Sequence, residues 1–272
     1  MDTITQQGGK IMEITALLEN TASRADMRTE HGLSLYIETQ GYKILFDMGQ
    51  TDLFAENART LGVDLSAVDI AVLSHGHYDH GGGLGKFLEI NDRAKVYIRR
   101  EAFLAHYNGT EKYIGLDTSL QKNPRLVFTE NEHRLGDGLT LFSCNERKRK
   151  HAPIPSGLTE KLGEAFIPDD FRHEQYLLIE KDERRVLLSG CSHKGILDIA
   201  DWFRPDVLIG GFHFSKLAPG ETLKQAAKTL AAHPTAFHTC HCTGTEQYRY
   251  MKQYMPSLGY LACGETVKIP SL

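Results

Sequence analysis

Within six residues, His75-Gly76-His77-Tyr78-Asp79-His80 offers three imidazoles and a carboxylate. Imidazole nitrogen and carboxylate oxygen are the donors that Zn²⁺, Fe²⁺ and Mn²⁺ use in hydrolytic and redox sites. Four donors this close together point to two ions rather than one. Such a pair shares a water, lowers its pKa and clamps a substrate oxygen. A lone histidine is ordinarily solvated or packed, whereas histidines clustered with an aspartate read as a metal site.

Other segments carry similar groups. His213 follows the pair Gly210-Gly211, where glycine lets backbone approach a ligand closely. It is a candidate metal ligand or a group that bonds a substrate oxygen as acid or electrostatic stabiliser. With Asp79 it forms the candidate catalytic pair. His31, beside Glu30 and Gly32, is a candidate for the same cleft, and Lys194 beside His193 is a candidate contact for an anionic substrate. The run Arg147-Lys148-Arg149-Lys150 is ordinarily a solvated face, but would attract an anion if its loop lay over the metals. Cys240-His241-Cys242 lacks the paired C-x-x-C of a structural zinc site.

These groups need strands and turns to hold them. The motif follows Asp69–Leu73 (DIAVL), a nearly continuous apolar run expected of a strand covered on both faces. Further strands are expected at Glu13–Leu18, Leu33–Glu38, Lys43–Asp47, Lys95–Ile98, Arg125–Phe128, Leu139–Ser143, Gln175–Glu180, Arg185–Leu188, Asp206–Ile209, Thr235–His238, Tyr260–Cys263 and Thr266–Ile269. Gln40-Gly41 marks a hairpin turn. Helical spacing appears at Asp52–Leu61, Leu84–Ile90, Lys194–Phe203, Glu221–Ala232 and Glu246–Tyr254. Residues 1–11 read as a loose tail and 12–272 as one domain. Residues 99–124 read as an irregular or helical insertion, and 145–170 as an exposed loop or lid. Strands mixed with helices throughout fit layered sheets with outer helices.

Composition narrows the classes. The chain has 272 residues, 41% hydrophobic and 24% charged, and can bury a sizeable core. A net charge of −4 argues against a general nucleic-acid-binding surface. No apolar run approaches the ~18 residues of a membrane span, and no secretory signal is visible. Five cysteines are too few and odd in number for a disulfide scaffold, which fits a reduced, cytoplasmic protein. Oligomeric state is not legible.

His75-x-His77-x-Asp79-His80 after an apolar strand, with Gly81–Gly83 behind it, resembles the signature of the metallo-β-lactamase superfamily. Leu45-Phe46-Asp47-Met48-Gly49 resembles that family's early strand, whose Asp supports the metal loop. The resemblance implies an αββα sandwich, two mixed β-sheets with helices outside, and a dinuclear site at one edge. His75 and His77 would bind the first metal, Asp79 and His80 the second, and His241 matches the last ligand. The family's bridging Asp is replaced: Cys191 stands at its place, either as a thiolate ligand or as a small buried residue. The third ligand of the first metal is expected at His193, with His151 as runner-up. His106, His133 and His173 lack a Gly-rich strand-end setting.

Glu30–Ser34, Ser74–Gly83, Gly190–His193, Gly210–His213 and His241–Gly244 resemble one branch, the dihydropterin-methyl-ribofuranosylaminobenzene-phosphate synthase-like proteins. The resemblance implies a metal-dependent hydrolase with two divalent ions, zinc first and manganese or iron as alternatives, acting on an anionic small molecule such as a phosphate ester. The alternatives are a synthase condensing a dihydropterin with a phosphorylated ribofuranosyl-aminobenzene, and a non-catalytic ligand sensor. Fold alone does not choose among them.

Overall fold

Successive side chains of a strand face opposite sides, so a strand apolar at every position must be covered twice. The computed structural model, which describes residues 11–270 apart from 153 and 155, shows this arrangement. Residues 1–10 of the expected tail, 1–11, lie outside the described residues.

Strands are numbered in chain order. The first sheet contains β1 (Met12–Leu18), β2 (Ser34–Thr39), β3 (Tyr42–Phe46), β4 (Ile70–Val72), β5 (Lys95–Arg99), β8 (Leu126–Thr129) and β18 (Thr266–Ile269). Their order across the sheet is β18-β1-β2-β3-β4-β5-β8. The β3-β4-β5-β8 half is parallel and the remainder antiparallel. The second sheet contains β9 (Glu132–Gly136), β10 (Leu139–Phe142), β13 (Tyr176–Lys181), β14 (Arg184–Leu188), β15 (Val207–Gly210), β16 (Ala236–Thr239) and β17 (Gly259–Tyr260). Its order is β17-β16-β15-β14-β13-β10-β9, parallel from β14 to β17.

One core lies between the sheets. Ile14, Leu35, Ile37, Ile44, Phe46 and Val72 of the first meet Leu139, Leu141, Leu177, Ile179, Leu188 and Ile209 of the second. The alternate residues face outward under helices. Tyr36, Leu45, Ala71 and Val96 pack with α1 (Leu53–Thr60) and α3 (Leu84–Ile90). Leu178, Leu187, Leu208 and Phe237 pack with α4 (Ile196–Phe203), α5 (Glu221–Ala231) and α6 (Thr245–Met251). The short α2 (Tyr78–Gly81) carries part of the histidine motif. This is the αββα sandwich. No helix among the described residues is long and apolar enough to cross a membrane.

The two insertions differ from their sequence reading. Residues 99–124 hold 3₁₀ turns and the strands β6 (Ala105–Asn108) and β7 (Lys112–Tyr113). Residues 145–170 are not simply a loop, because β11 (Leu158–Leu162) and β12 (Ala165–Pro168) form a hairpin. β11 pairs antiparallel with β6, so both insertions build one four-stranded sheet, β12-β11-β6-β7. Its strands are short and much of their surface is exposed, so no apolar alternation marks them. The basic run does not lie over the histidine motif. Arg147 donates to the Trp202 carbonyl and Lys150 pairs with Asp201, both on α4.

Candidate metal centre

The parallel halves of both sheets end at one rim, and open α/β sheets place ligands outside their strands' carboxyl ends. β4 runs out into Ser74–His80, β14 into Cys191 and His193, β15 into His213, and β16 into His241. The backbone is tightly fitted there. A Cβ on Gly76 would lie 2.3 Å from the Ala102 carbonyl oxygen, and one on Gly190 would lie 2.2 Å from Ser74 Oγ. Asp47, His213 and His241 adopt positive φ (63°, 55° and 47°), a costly conformation for residues other than glycine.

Buried Asp47 organises the first loop. Its carboxylate accepts the Ser74 N–H and Ser74 Oγ–H, each at 2.7 Å, and faces His80 Nδ1 at 2.7 Å. Ser74 Oγ, having donated to Asp47, accepts from His75 Nδ1 at 2.8 Å. His241 Nδ1 donates to Asn20 Oδ1 at 2.8 Å, while Glu19 accepts the His241 N–H. Each of these imidazoles thus donates through Nδ1 to an oxygen, which leaves Nε2 as the bare lone pair.

Those Nε2 atoms converge. His80 Nε2 lies 3.2 Å from His241 Nε2 and 3.2 Å from Cys191 Sγ. His75 Nε2 lies 3.3 Å from His193 Nε2. His77 Nε2 is buried with no hydrogen-bond partner. Asp79 Oδ2 is 3.3 Å from His241 Nε2 and 3.1 Å from His31 Nε2. Lone pairs aimed at one another repel unless a cation or proton lies between them, so this donor set fits divalent metal ions.

The donors fall into overlapping sets with mutual distances within 4.8 Å: His75–His77–His193, His75–His80–Cys191, Cys191–His241–Cys242 and Cys191–His193–His213. Cys191 belongs to three of these four, which places its sulfur between the two halves of the cluster. Ligation needs neutral imidazole and ionised carboxylate. Burial, reinforced by neighbouring rings, pushes His75 and His77 well below the usual histidine range, and does the same for His193. Burial opposes ionisation of Asp79, but the neighbouring His241 and His31 imidazoles outweigh it and hold the carboxyl well below its usual range. At His80, burial is outweighed by the Asp47 carboxylate, which raises the pKa.

The remaining candidates divide. His31 lies against His241, with ring centroids 4.7 Å apart and the planes tilted by 42°, and lines the cleft. His213 lies 4.3 Å from His193, with a buried, unpartnered Nδ1. Lys194 is buried, and its ammonium donates to the Glu174 carbonyl at 2.9 Å, so that donor is not turned to the metal loop. Burial lowers its pKa to about 8. His151 pairs with Asp201 at 3.7 Å, away from the motif.

The sequence reading missed Glu174, Phe171 and Asp169, and set His106 and His173 aside as ligands without giving them another role. Glu174 accepts the backbone N–H groups of His193 and Lys194, and Phe171 stacks on His193 with centroids 4.6 Å apart. His173 Nδ1 accepts the Gly76 N–H and its Nε2 donates to Asp169. His106 faces Asp169 and the Glu101 carbonyl. His106, Asp169 and His173 are therefore engaged as a support beneath the loop, although they sit close to His77. The cleft, about 410 Å³, also has Lys112 and Lys216 in its lining. No local pattern distinguishes those two lysines from surface ones.

The metallo-beta-lactamase superfamily model matches residues 27–232. The chain belongs to this superfamily. Among metallo-β-lactamase relatives of known structure, the chain resembles Tm1679, described as a metal-dependent hydrolase of the β-lactamase superfamily. Identity is 29%, TM-score 0.79, and coverage 95% of this chain and 99% of the other. YhfI from Bacillus subtilis shares the fold at 13% identity, with a TM-score of 0.60 over 95% and 100% of the two chains. By sequence, the chain is 28% identical over 293 residues to the 7,8-dihydropterin-6-methyl-4-(β-D-ribofuranosyl)-aminobenzene-5′-phosphate synthase of Methanocaldococcus jannaschii, covering 96% of this chain and 98% of that one. An uncharacterized protein of the same organism is 27% identical, over 88% and 94% of the two chains.

Proposed function

We propose that this chain is a metal-dependent hydrolase acting on an anionic small molecule such as a phosphate ester, in a reducing, cytoplasmic setting. The observation that carries the reading is the convergence of bare Nε2 atoms from both sheets around Cys191. His75, His77 and His193 would hold one ion, and Asp79, His80 and His241 the other, with Cys191 between them in place of the family's aspartate. Two divalent ions, zinc before iron or manganese, would supply an activated water and polarise the substrate oxygen. The chain's own groups do the rest. Lys112 and Lys216 draw the anion into the cleft. His31 orients it. His213 bonds the departing oxygen and can pass it a proton.

The test is metal content per chain by elemental mass spectrometry, with turnover of phosphomonoester, phosphodiester and carboxylic ester substrates in zinc or manganese. Two metals, lost in His80→Ala and His193→Ala together with turnover, is the expected result. A metal-free wild type would overturn the reading. The full-length similarity to the M. jannaschii synthase favours a second reading, in which the same centre aligns a phosphorylated ribofuranosyl-aminobenzene with a dihydropterin. Product formation from that pair, with no ester hydrolysis, would select it.

A further inference from the structure

Cys242 has no role in the ligand set above, yet its sulfur lies in the same cluster. Its Sγ, Cys191 Sγ and a donor nitrogen of His241 lie within 4.8 Å of one another. Both sulfurs line the cleft. Cys240, two residues earlier, packs instead into the core between the sheets. The turn His241–Thr243 therefore sends alternate cysteines in opposite directions, one into the core and one to the centre.

The turn is rigidly held. Thr243 Oγ1 accepts the Phe212 N–H at 2.8 Å, and Glu19 accepts the His241 N–H. The Cys242 thiol makes a long contact, 3.5 Å, to the Cys191 carbonyl oxygen and also lies beside the Cys191 thiol and the His213 imidazole. A thiol donates weakly, so this bond yields readily to a cation. Space for the sulfur depends on Gly211, where a Cβ would lie 2.3 Å from it.

We propose that Cys242 is a second sulfur donor, so that Cys191 and Cys242 make one half of the centre a dithiolate site. This rests on the metal-centre reading above. Each thiol gives its proton to solvent as the metal–sulfur bond forms. Thiolate donors favour zinc, cobalt and iron(II), whereas manganese and magnesium prefer oxygen. The centre is therefore thiophilic, and manganese is a poor occupant.

The experiment is titration of the metal-free full chain with Co²⁺, read by absorbance. Sulfur-to-cobalt charge transfer absorbs in the near ultraviolet, and the d–d bands report binding whatever the donors. The expected result is a charge-transfer band that falls by about a third in Cys242→Ser and vanishes when Cys191→Ser is added, with excess Mn²⁺ displacing little cobalt. Cys263→Ala, a thiol beside Asn57 and the Leu17 carbonyl, serves as control and keeps the band. Cobalt d–d bands with a charge-transfer band unchanged by Cys242→Ser would overturn the dithiolate while leaving the metal centre intact. Absence of any cobalt binding would overturn both. If Cys242→Ser does not fold, X-ray absorption of the wild-type zinc protein decides. Sulfur from two cysteines at about 2.3 Å supports the dithiolate, and sulfur from one or none overturns it.

Discussion

Replacing Asp47 by Asn changes no volume yet should invert the tautomer of a metal-facing histidine. The Asp47 carboxylate accepts from Ser74 N–H and Ser74 Oγ–H and receives His80 Nδ1. An asparagine that keeps its oxygen toward the Ser74 N–H turns its amide group to His80. Nδ1 must then accept, and the proton moves to Nε2, the nitrogen aimed at Cys191 and His241. The flipped amide would instead oppose the Ser74 N–H, leaving a buried donor unpaired at a cost of about 1–3 kcal/mol. Loss of such a supporting carboxylate typically weakens metal binding about 10–100-fold, or ~1.4–2.7 kcal/mol. Competition against a chromophoric zinc chelator measures this directly. Ser34→Ala is the control, because Ser34 Oγ bonds only the Asp47 backbone carbonyl. It should lose stability but not affinity. A folded Asp47→Asn protein binding zinc within about threefold of wild type would refute the tautomer argument.

Gly76→Ala should weaken zinc binding by tenfold or more, on the order of a lost supporting group, because its Cβ would strike the Ala102 carbonyl and displace the histidine loop; the same chelator competition checks it. Phe46→Ala, fully buried between the sheets, should cost ~3–5 kcal/mol by urea denaturation. A loss under ~1 kcal/mol would contradict the described core. Lys112→Ala with Lys216→Ala should raise KM for anionic substrates and leave kcat nearly unchanged, an effect that added salt suppresses. Acid should destabilise the metal-free protein. His75, His77, His173 and His193 are held below the ordinary histidine value in the fold, chiefly by burial. Their contribution is present above ~6.5 and is lost as pH falls, because the unfolded chain then binds protons the folded one refuses, at up to about 1.36 kcal/mol per pH unit for each. His80 is shifted upward and contributes the opposite sign, one group against four. Urea midpoints between pH 8 and 5 that stay flat would refute this.

The sandwich was legible where burial is two-sided. β4, β15, α1 and α5 carry apolar runs or helical spacing strong enough to mark them within a residue or two. The small third sheet was not legible, because β7 is exposed along both residues and β12 along most of its length. The histidine motif announced its own neighbourhood, since its donors are adjacent in the chain. The support beneath it is assembled from distant positions. Asp169 meets His106 across 63 residues, and Glu19 meets His241 across 222. Cys242 was visible only as a neighbour of His241, because nothing local reveals which way its sulfur turns.

The converging donors belong to different sheets: His75 through His80 leave the first, whereas Cys191, His193, His213 and His241 leave the second. An ion held between them is a removable rivet at the open rim of the sandwich. Apolar burial clamps the middle of the two layers, but lone-pair repulsion tends to spread the rim when the rivet is out. Occupancy stabilises the folded chain by RT ln(1 + [metal]/Kd), about 2.7 kcal/mol at a hundredfold excess over Kd. Metal supply would then govern how long a folded copy survives proteolysis, quite apart from whether it can turn over a substrate.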